Sequence, residues 1–429
     1  MVKESVIRLM SRLASEHQAV NLSMGFTDEP PEYEMVWGAM TAMLGGTEPG
    51  IAQLQRLSLR DVRKMMKLDN DKFLDSNLTD VMRTLRGTSD VFNQYCIPYG
   101  LVELRNAIAD YTERFQGYRP DPETQIMVSS GATEATTSVL LTICKPGDEI
   151  IVVQPFHEMY PAHARVLGLM TKYITLREDP KAKTWRLDEA ELKKAITRKT
   201  KALILNTPHN PTGKVFTRKE LQSIGEICLQ NNVLVISDEI YEHFAYGRRR
   251  HVSMASIPEM RDQTIVINAI SKTGNATGWR VGWVICPPRF TPEMRSIHDP
   301  LVIQAATPLQ KGAVKLLQQK DTFFHDIGKH HLSKRAIVVD ALEAAGFKVS
   351  PPEGAYYIMA DYSSVPALRG LSPTDAAVYL IKNVGVASVP GDNFYAVGDF
   401  GNRYLRFAFC KNDQTLHEAA KRLKKLKPK

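Results

Sequence analysis

The chain has no run of about eighteen consecutive apolar residues, the length a membrane-crossing helix needs. It has no CxxC pair either. Its five cysteines (Cys96, Cys144, Cys228, Cys286 and Cys410) are scattered and odd in number. That argues against a disulfide frame or a zinc site and for reduced thiols. The first stretch has no apolar signal core, because Lys3, Glu4, Arg8 and Arg12 interrupt it. Together these absences predict a cytoplasmic protein with no membrane partner. Basic blocks are sparse although the net charge is +8; the excess favours anionic ligands through long-range steering. The densest runs are Arg248–Arg250 and the tail 421–429. Leu416, Ala420, Leu423 and Leu426 give the tail helical spacing, so it reads as a terminal helix with a solvated basic face, not a nucleic-acid anchor. Asp69-Asn70-Asp71 lacks the glycine and terminal glutamate of a calcium loop, and no metal is expected. Two glycosylation sequons, at Asn77 and Asn275, are chance matches without a secretory signal. No internal repeat or low-complexity segment occurs.

What is present is an ordinary globular composition, 43% hydrophobic and 24% charged, over 429 residues. Such a length carries two or three domains. Residues 5–16 form an amphipathic pattern with Val6, Met10 and Leu13 on one face. A turn-rich stretch, 21–31, and a helical one, 33–44, follow. From 46 to 86 the texture changes to a helical insertion, punctuated at its start by Gly45-Gly46 and Pro49-Gly50 and with Leu59, Val62 and Met66 at helical spacing. Ser58 and Asp61 make a capping box there, and a second piece at 72–86 carries a Leu74, Leu78, Val81, Leu85 stripe. From about residue 100, strand-like runs (126–128, 149–153, 202–206, 233–237, 264–267, 282–285) alternate with helical patterns such as 133–143 and 218–230. This is the signature of a mostly parallel sheet covered by helices. After residue 300, helices at 307–320 and 332–345 precede a mixed end with strands near 356–359, 385–388 and 404–409. The expected partition is an N-terminal arm with part of a small domain (1–45), a helical insertion (46–86), a large domain (87–300) and a smaller α+β domain (301–429).

Several polar residues fall just past strand ends, where open α/β sheets place ligands. Lys272 lies in Asn268-Ala-Ile-Ser-Lys-Thr-Gly274, after the run 264–267. A lysine there can form a Schiff base with a carbonyl cofactor, or be an ordinary loop lysine. Ser129-Ser-Gly-Ala-Thr-Glu134 is a small-residue turn into a helix, whose N–H groups suit a phosphate. Asn206-Thr-Pro-His-Asn-Pro-Thr-Gly213 could aim the Asn210 amide. Asp238, in Ser237-Asp-Glu-Ile-Tyr241, places a carboxylate at a strand end, or caps a helix. Arg406 sits in an apolar strand, Tyr404–Phe409, and needs a partner: a substrate carboxylate or a structural ion pair.

Taken together these stretches resemble the fold-type I, pyridoxal-phosphate-dependent class I/II aminotransferases, and most of all their kynurenine/glutamine branch. The resemblance implies that Lys272 binds the cofactor pyridoxal 5'-phosphate covalently and shuttles protons. It implies that Asp238 pairs with the pyridine nitrogen, and that Asn210 and Tyr241 hold the phenolic oxygen. Gly131, Ala132, Thr133, Ser271 and Arg280 would bind the phosphate, and Tyr95 would reach the phosphate of a neighbouring subunit in a homodimer with shared active sites. Arg406 would clamp the substrate carboxylate, with Gly25 and Asn210 beside it. The implied activity moves an amino group from an L-amino acid to a 2-oxo acid. The same residues also serve β/γ-elimination, replacement or cyclisation on an amino acid.

The chain departs from the family's pattern in three places. Ala269 stands where a serine phosphate ligand is usual. His157, in Gln154-Pro-Phe-His157, falls where an aromatic ring stacks on the cofactor; an imidazole there can stack, titrate near neutrality or only pack. The segment 46–86 is extra. It is either a lid or wall near the active-site mouth, with Arg56, Arg60, Arg63 and Lys64 toward anionic groups, or a peripheral hairpin.

Overall fold

The structure is a computed structural model that describes residues 5–86 and 91–426. Residue 87, where the large domain is expected to begin, and the tail residues 427–429 lie outside the described residues. The chain forms two compact units from interleaved segments. The first comprises Met1–Pro30, Val139–Asn268 and Lys320–Lys429; the second comprises Pro31–Ser138 and Ala269–Gln319.

In the first unit the strands run in the spatial order Thr264–Ala269, Leu234–Asp238, Thr200–Asn206, Glu149–Gln154, Met170–Asp179, Thr184–Leu187. All of these pairings are parallel except the last, which is antiparallel. The central strands are apolar along their length because both faces are covered: Ile150, Ile151, Val152, Leu203, Leu205, Val235 and Ile236 are all buried. The helix Arg218–Gln230 covers one face with Leu221, Ile224, Ile227 and Cys228. It starts at a capping box in which Thr217 and Glu220 satisfy each other's backbone N–H groups. The α/β expectation therefore holds, with a mostly parallel sheet flanked by helices. Met170–Asp179 and Thr184–Leu187 gave no clear sequence signal, because their residues alternate irregularly between buried and exposed.

A second, antiparallel sheet in the same unit has the order Lys348–Val349, Tyr357–Asp361, Tyr404–Ala408, Val389–Pro390. Its register pairs Tyr357 with Ala408 and Met359 with Arg406. Residues directly opposite, and those two apart along a strand, share a face. Tyr357 and Arg406 are therefore diagonal neighbours on one face. The helix Val6–Glu16 packs Met10 and Ala14 into the same core.

The second unit joins the helices Tyr33–Gly45 and Thr307–Leu317 closely. A Cβ on Gly312 would fall 2.7 Å from the Met35 carbonyl oxygen, so only glycine permits that approach. The strands Ile126–Ser129 and Gly282–Ile285 pair antiparallel. The segment 46–86 is helical, but as Glu48–Arg56, Leu59–Met66, Asn70–Leu74 and Leu78–Leu85. Each starts at a side-chain cap: Thr47, Ser58, Asp69 and Asn77. The Ser58–Asp61 capping box forms as expected. The expected single helix over 72–86 is broken, because Asn77 caps a new helix at the Asp80 N–H.

One buried cation ties the start of this segment down. Lys311, 7% exposed, bonds the carboxylates of Glu48 and Glu103 and lies over the Phe92 ring. Burial pulls its pKa down, but the bonds from Glu103 and Glu48 outweigh that and hold it above the usual lysine value. The two carboxylates remain well exposed, so the tether contributes about 1 kcal/mol. Lys311→Met should therefore speed amide exchange in residues 48–56 about fivefold, read by hydrogen–deuterium exchange, with residues 200–206 unaffected as the control.

Candidate active site

In the first unit, Asn206 and Asp238 end two neighbouring parallel strands and pair in register. The Asn206 amide does two jobs. Its Nδ2 donates to the Asp238 carbonyl oxygen at 2.9 Å, and its Oδ1 accepts from the Asn210 N–H at 2.7 Å. One side chain thus fixes both the carboxylate-bearing residue and the turn carrying Asn210. A turn follows Asp238, so it caps no helix. Its Oδ1 accepts from the Ile240 N–H at 3.3 Å, and its Oδ2 accepts from Tyr160 Oη at 2.5 Å. Tyr160 is buried, and burial, with the neighbouring Asp238 charge, pushes its phenol pKa well above the ordinary value. It therefore stays a neutral donor. His157 lies one turn before it; the two rings are 5.7 Å apart at 63°. His157 is half-buried.

Arg406 is 1% exposed, yet no carboxylate pairs with it among the described residues. The structural ion pair that was its other reading is not there. Nη1 donates to Asn210 Oδ1 at 3.0 Å and Nη2 to the Ser23 carbonyl at 2.8 Å. The guanidinium lies over the rings of Tyr357 and Phe394, 4.4 and 4.8 Å from their centres. Its Nε has no hydrogen-bond partner among the described residues. Burial lowers its pKa from the ordinary arginine value, and a fixed cation with an open donor is suited to bind an anion. Gly25 is beside it for a steric reason: a Cβ there would fall 1.8 Å from Tyr357 Oη. The Gly25 carbonyl accepts from Tyr356 Oη at 2.9 Å. Tyr241 is buried, with its hydroxyl 3.0 Å from that of Tyr357.

In the second unit, Lys272 sits in the short helix Ile270–Thr273 directly after the strand Thr264–Ala269, and is half-buried. Its neighbour Ser271 is buried and its hydroxyl has no partner among the described residues. The Ile270 N–H donates to the Val281 carbonyl at 3.2 Å, closing the intervening loop. Arg280, in the left-handed region at φ 54, turns its guanidinium toward the start of the helix Gly131–Ile143. A Cβ on Gly131 would fall 2.3 Å from Arg280 Nη2. Arg280 donates to the Thr277 carbonyl and has no carboxylate partner among the described residues; burial lowers its pKa. A helix N-terminus, with Ala132 and Thr133 in its first turn, and an uncompensated guanidinium held against Gly131 form an anion cradle. Tyr95 is 76% exposed. No cluster of metal ligands is present among the described residues.

Comparison with known proteins explains this combination of features. The family described as aminotransferase class I and II matches residues 63–423. The match begins inside the 46–86 segment. The chain is 32% identical to a probable N-succinyldiaminopimelate aminotransferase of Mycobacterium tuberculosis, over 98% of this chain and 95% of that one. It is 33% identical to kynurenine–oxoglutarate transaminase 1 of Rattus norvegicus, over 79% and 85% of the two chains. The solved structure of the N-succinyldiaminopimelate aminotransferase from M. tuberculosis superposes with a TM-score of 0.84 at 31% identity, covering 99% of this chain and 97% of that one. The chain belongs to the class I and II aminotransferases.

This aminotransferase is a pyridoxal 5'-phosphate-dependent transferase acting on amino acids and 2-oxo acids. Its residues fit the cofactor: the open Ser271 hydroxyl and the Arg280–Gly131 cradle suit a phosphate, and the Asp238 carboxylate suits a protonated ring nitrogen. Kynurenine transaminases are among the relatives, as the resemblance to that branch implies. Asn206, Tyr160, Ser23 and Tyr357 were not singled out in the sequence. Asn206 opens a motif that was, and Tyr160 follows one three residues on, both at positions no periodicity marks. Tyr160→Phe removes a bond to a charged acceptor, worth about 1.5 kcal/mol. It should weaken the apoprotein's affinity for pyridoxal phosphate about tenfold, measured by absorbance titration, with little change in the thermal midpoint.

Proposed function

We propose that this aminotransferase holds its cofactor through Lys272 and takes a neutral L-amino acid with an apolar or aromatic side chain as donor. The observation that carries the reading is the buried Arg406, fixed by Asn210 and Ser23 with an open Nε and two aromatic faces against it. A substrate α-carboxylate completes that guanidinium, and the rings beside it favour an apolar side chain. Relatives named for methionine in Escherichia coli and for kynurenine in Rattus norvegicus support an uncharged donor, whereas the relative named for N-succinyldiaminopimelate points to an anionic one, which the donor comparison below distinguishes.

In the proposed scheme the bound cofactor supplies an aldehyde to take up the amino group and a ring to accept the electrons left at Cα. The rest is done by this chain. Asp238, fixed by Tyr160 and by the Ile240 N–H, keeps the ring nitrogen protonated. Asn210 and Tyr241 hold the phenolic oxygen. Gly131, Ala132, Thr133, Ser271 and Arg280 bind the phosphate. The Lys272 amine would move the proton at substrate Cα. Arg406, with Gly25 and Asn210, sets the carboxylate so that the Cα–H bond is presented for transfer. His157 packs against the ring. Tyr95, exposed in one chain, reaches the phosphate of a second copy, which makes the working form a homodimer in the cytoplasm. The segment 46–86 shapes substrate choice within a chain organised as arm (1–45), insertion (46–86), large domain (87–300) and small domain (301–429).

Mixing the holoenzyme with methionine, kynurenine or phenylalanine alone, without oxo acid, should convert the cofactor's aldehyde-form absorbance into its amine form. Aspartate should do so at least tenfold more slowly. Release of ammonia or a cyclised product instead would show that elimination or cyclisation is the reaction, and Lys272→Ala should abolish every conversion. Replacing residues 58–85 with a Gly/Ser linker spares the Lys311 tether at Glu48. It should leave cofactor affinity intact and change the ratio of kcat/KM between donors by about tenfold or more. An unchanged ratio would make the segment a peripheral hairpin.

A further inference from the structure

Three buried tyrosines stand between Gly25 and Arg406, and the assigned roles use only one of them. Tyr241, Tyr356 and Tyr357 are each 3% exposed. Their rings meet edge to face or tilted, with centres 4.9 to 5.9 Å apart. Tyr356 donates to the Gly25 carbonyl, which can only accept. Tyr241 and Tyr357 share a hydrogen bond of 3.0 Å. The Tyr357 ring also carries the Arg406 guanidinium, 4.4 Å from its centre. That contact follows from the register, in which Tyr357 and Arg406 are diagonal neighbours on one face of the antiparallel sheet. The position of the Tyr357 hydroxyl is fixed from the other side by Gly25, where any Cβ would overlap it.

A phenol has one proton to give. If Tyr241 donates its proton to the cofactor's phenolic oxygen, it has none left for Tyr357. The shared bond must then run from Tyr357 to Tyr241. A donor bonded to Tyr241 Oη polarises that hydroxyl and strengthens the bond it makes in turn. Burial comes first in pushing both phenols above their ordinary pKa, so both remain neutral donors at working pH.

We propose that Tyr357 is a positioning residue with two functions: its hydroxyl donates to Tyr241 and strengthens the Tyr241 bond to the cofactor, while its ring fixes the plane of Arg406. The proposal rests on the cofactor assignment above. It couples the carboxylate clamp to the cofactor's phenolic oxygen through a single side chain, so that a substrate seated on Arg406 bears on the bond at Tyr241.

The two functions separate in two variants. Tyr357→Phe keeps the ring and removes the donor. A bond to the phenolic oxygen favours its deprotonated form, so weakening it moves the titration to higher pH. In the holoenzyme without substrate, the pH midpoint of the cofactor's visible band should rise by about 0.5 unit, the scale of one neutral hydrogen bond. Tyr241→Phe should move it further in the same direction. For Tyr357→Phe, kcat should fall while donor KM changes less than about twofold; Tyr357→Leu, which loses the ring as well, should raise KM about tenfold. A Tyr357→Phe midpoint equal to that of the unaltered enzyme, with Tyr241→Phe shifted, overturns the proposal and leaves the cofactor assignment standing. If the unaltered protein shows no lysine-linked visible band with pyridoxal phosphate, the cofactor assignment fails and the proposal with it.

Discussion

The arrangement of the first unit depends on burying a guanidinium without a carboxylate. A cation taken out of water must be hydrogen-bonded or neutralised. Arg406 is met by the Ser23 carbonyl, the Asn210 amide oxygen and two ring faces, and its Nε has no partner among the described residues. Each partner imposes a demand elsewhere. The Ser23 carbonyl requires the N-terminal segment to run past the antiparallel sheet, and Gly25 must be glycine because Tyr357 occupies the space of its Cβ. Asn210 must be held by its backbone, which is the role of Asn206 at the end of the parallel strand. An arginine satisfied by a carboxylate would place none of these demands.

A parallel sheet concentrates chemistry at one edge because its strands all end there. Asn206 and Asp238 stand side by side in register for that reason. The Asn206 amide spans from one strand end to the next turn, and Tyr160 reaches Asp238 from the chain after another strand. In the second unit the anion cradle uses the partial charge of a helix N-terminus and a guanidinium that has no acidic partner among the described residues. In both units, donors without full partners mark where a ligand is expected, and the two open cations match the two anionic groups of an aminotransferase reaction, a phosphate and a carboxylate.

Much of this was legible in the sequence where chemistry and position coincide. Lys272, Asp238, Asn210 and Arg406 are polar residues at the ends of, or embedded in, apolar runs, a placement that needs a reason. The strands at 149–153, 202–206, 233–237 and 264–267 were legible because both their faces are buried, so their composition is apolar throughout. The helical character of 46–86 and its capping box were legible for local reasons of the same kind. The break at Asn77 was hidden because the leucine stripe runs on past it. The last two strands of the sheet, Met170–Asp179 and the edge strand Thr184–Leu187, were hidden because half-exposed residues give no clear period.

The sequence by itself determined the family, the covalent lysine candidate and the α/β architecture. The family and the role of the lysine came from the resemblance of its motifs to known aminotransferases, and the architecture from short-range patterns: apolar runs, caps, and polar residues at strand ends. Only the tertiary structure decided which side chains support the others. Asn206 as a brace, Tyr160 as the donor to Asp238, Ser23 as the carbonyl under Arg406 and Tyr357 between Tyr241 and Arg406 are contacts between residues far apart in the chain. Arg406 and Ser23 are 383 residues apart, and Tyr160 and Asp238 are 78 apart. Whether a buried polar group is satisfied depends on partners that local sequence does not name, so such roles appear only once the chain is packed.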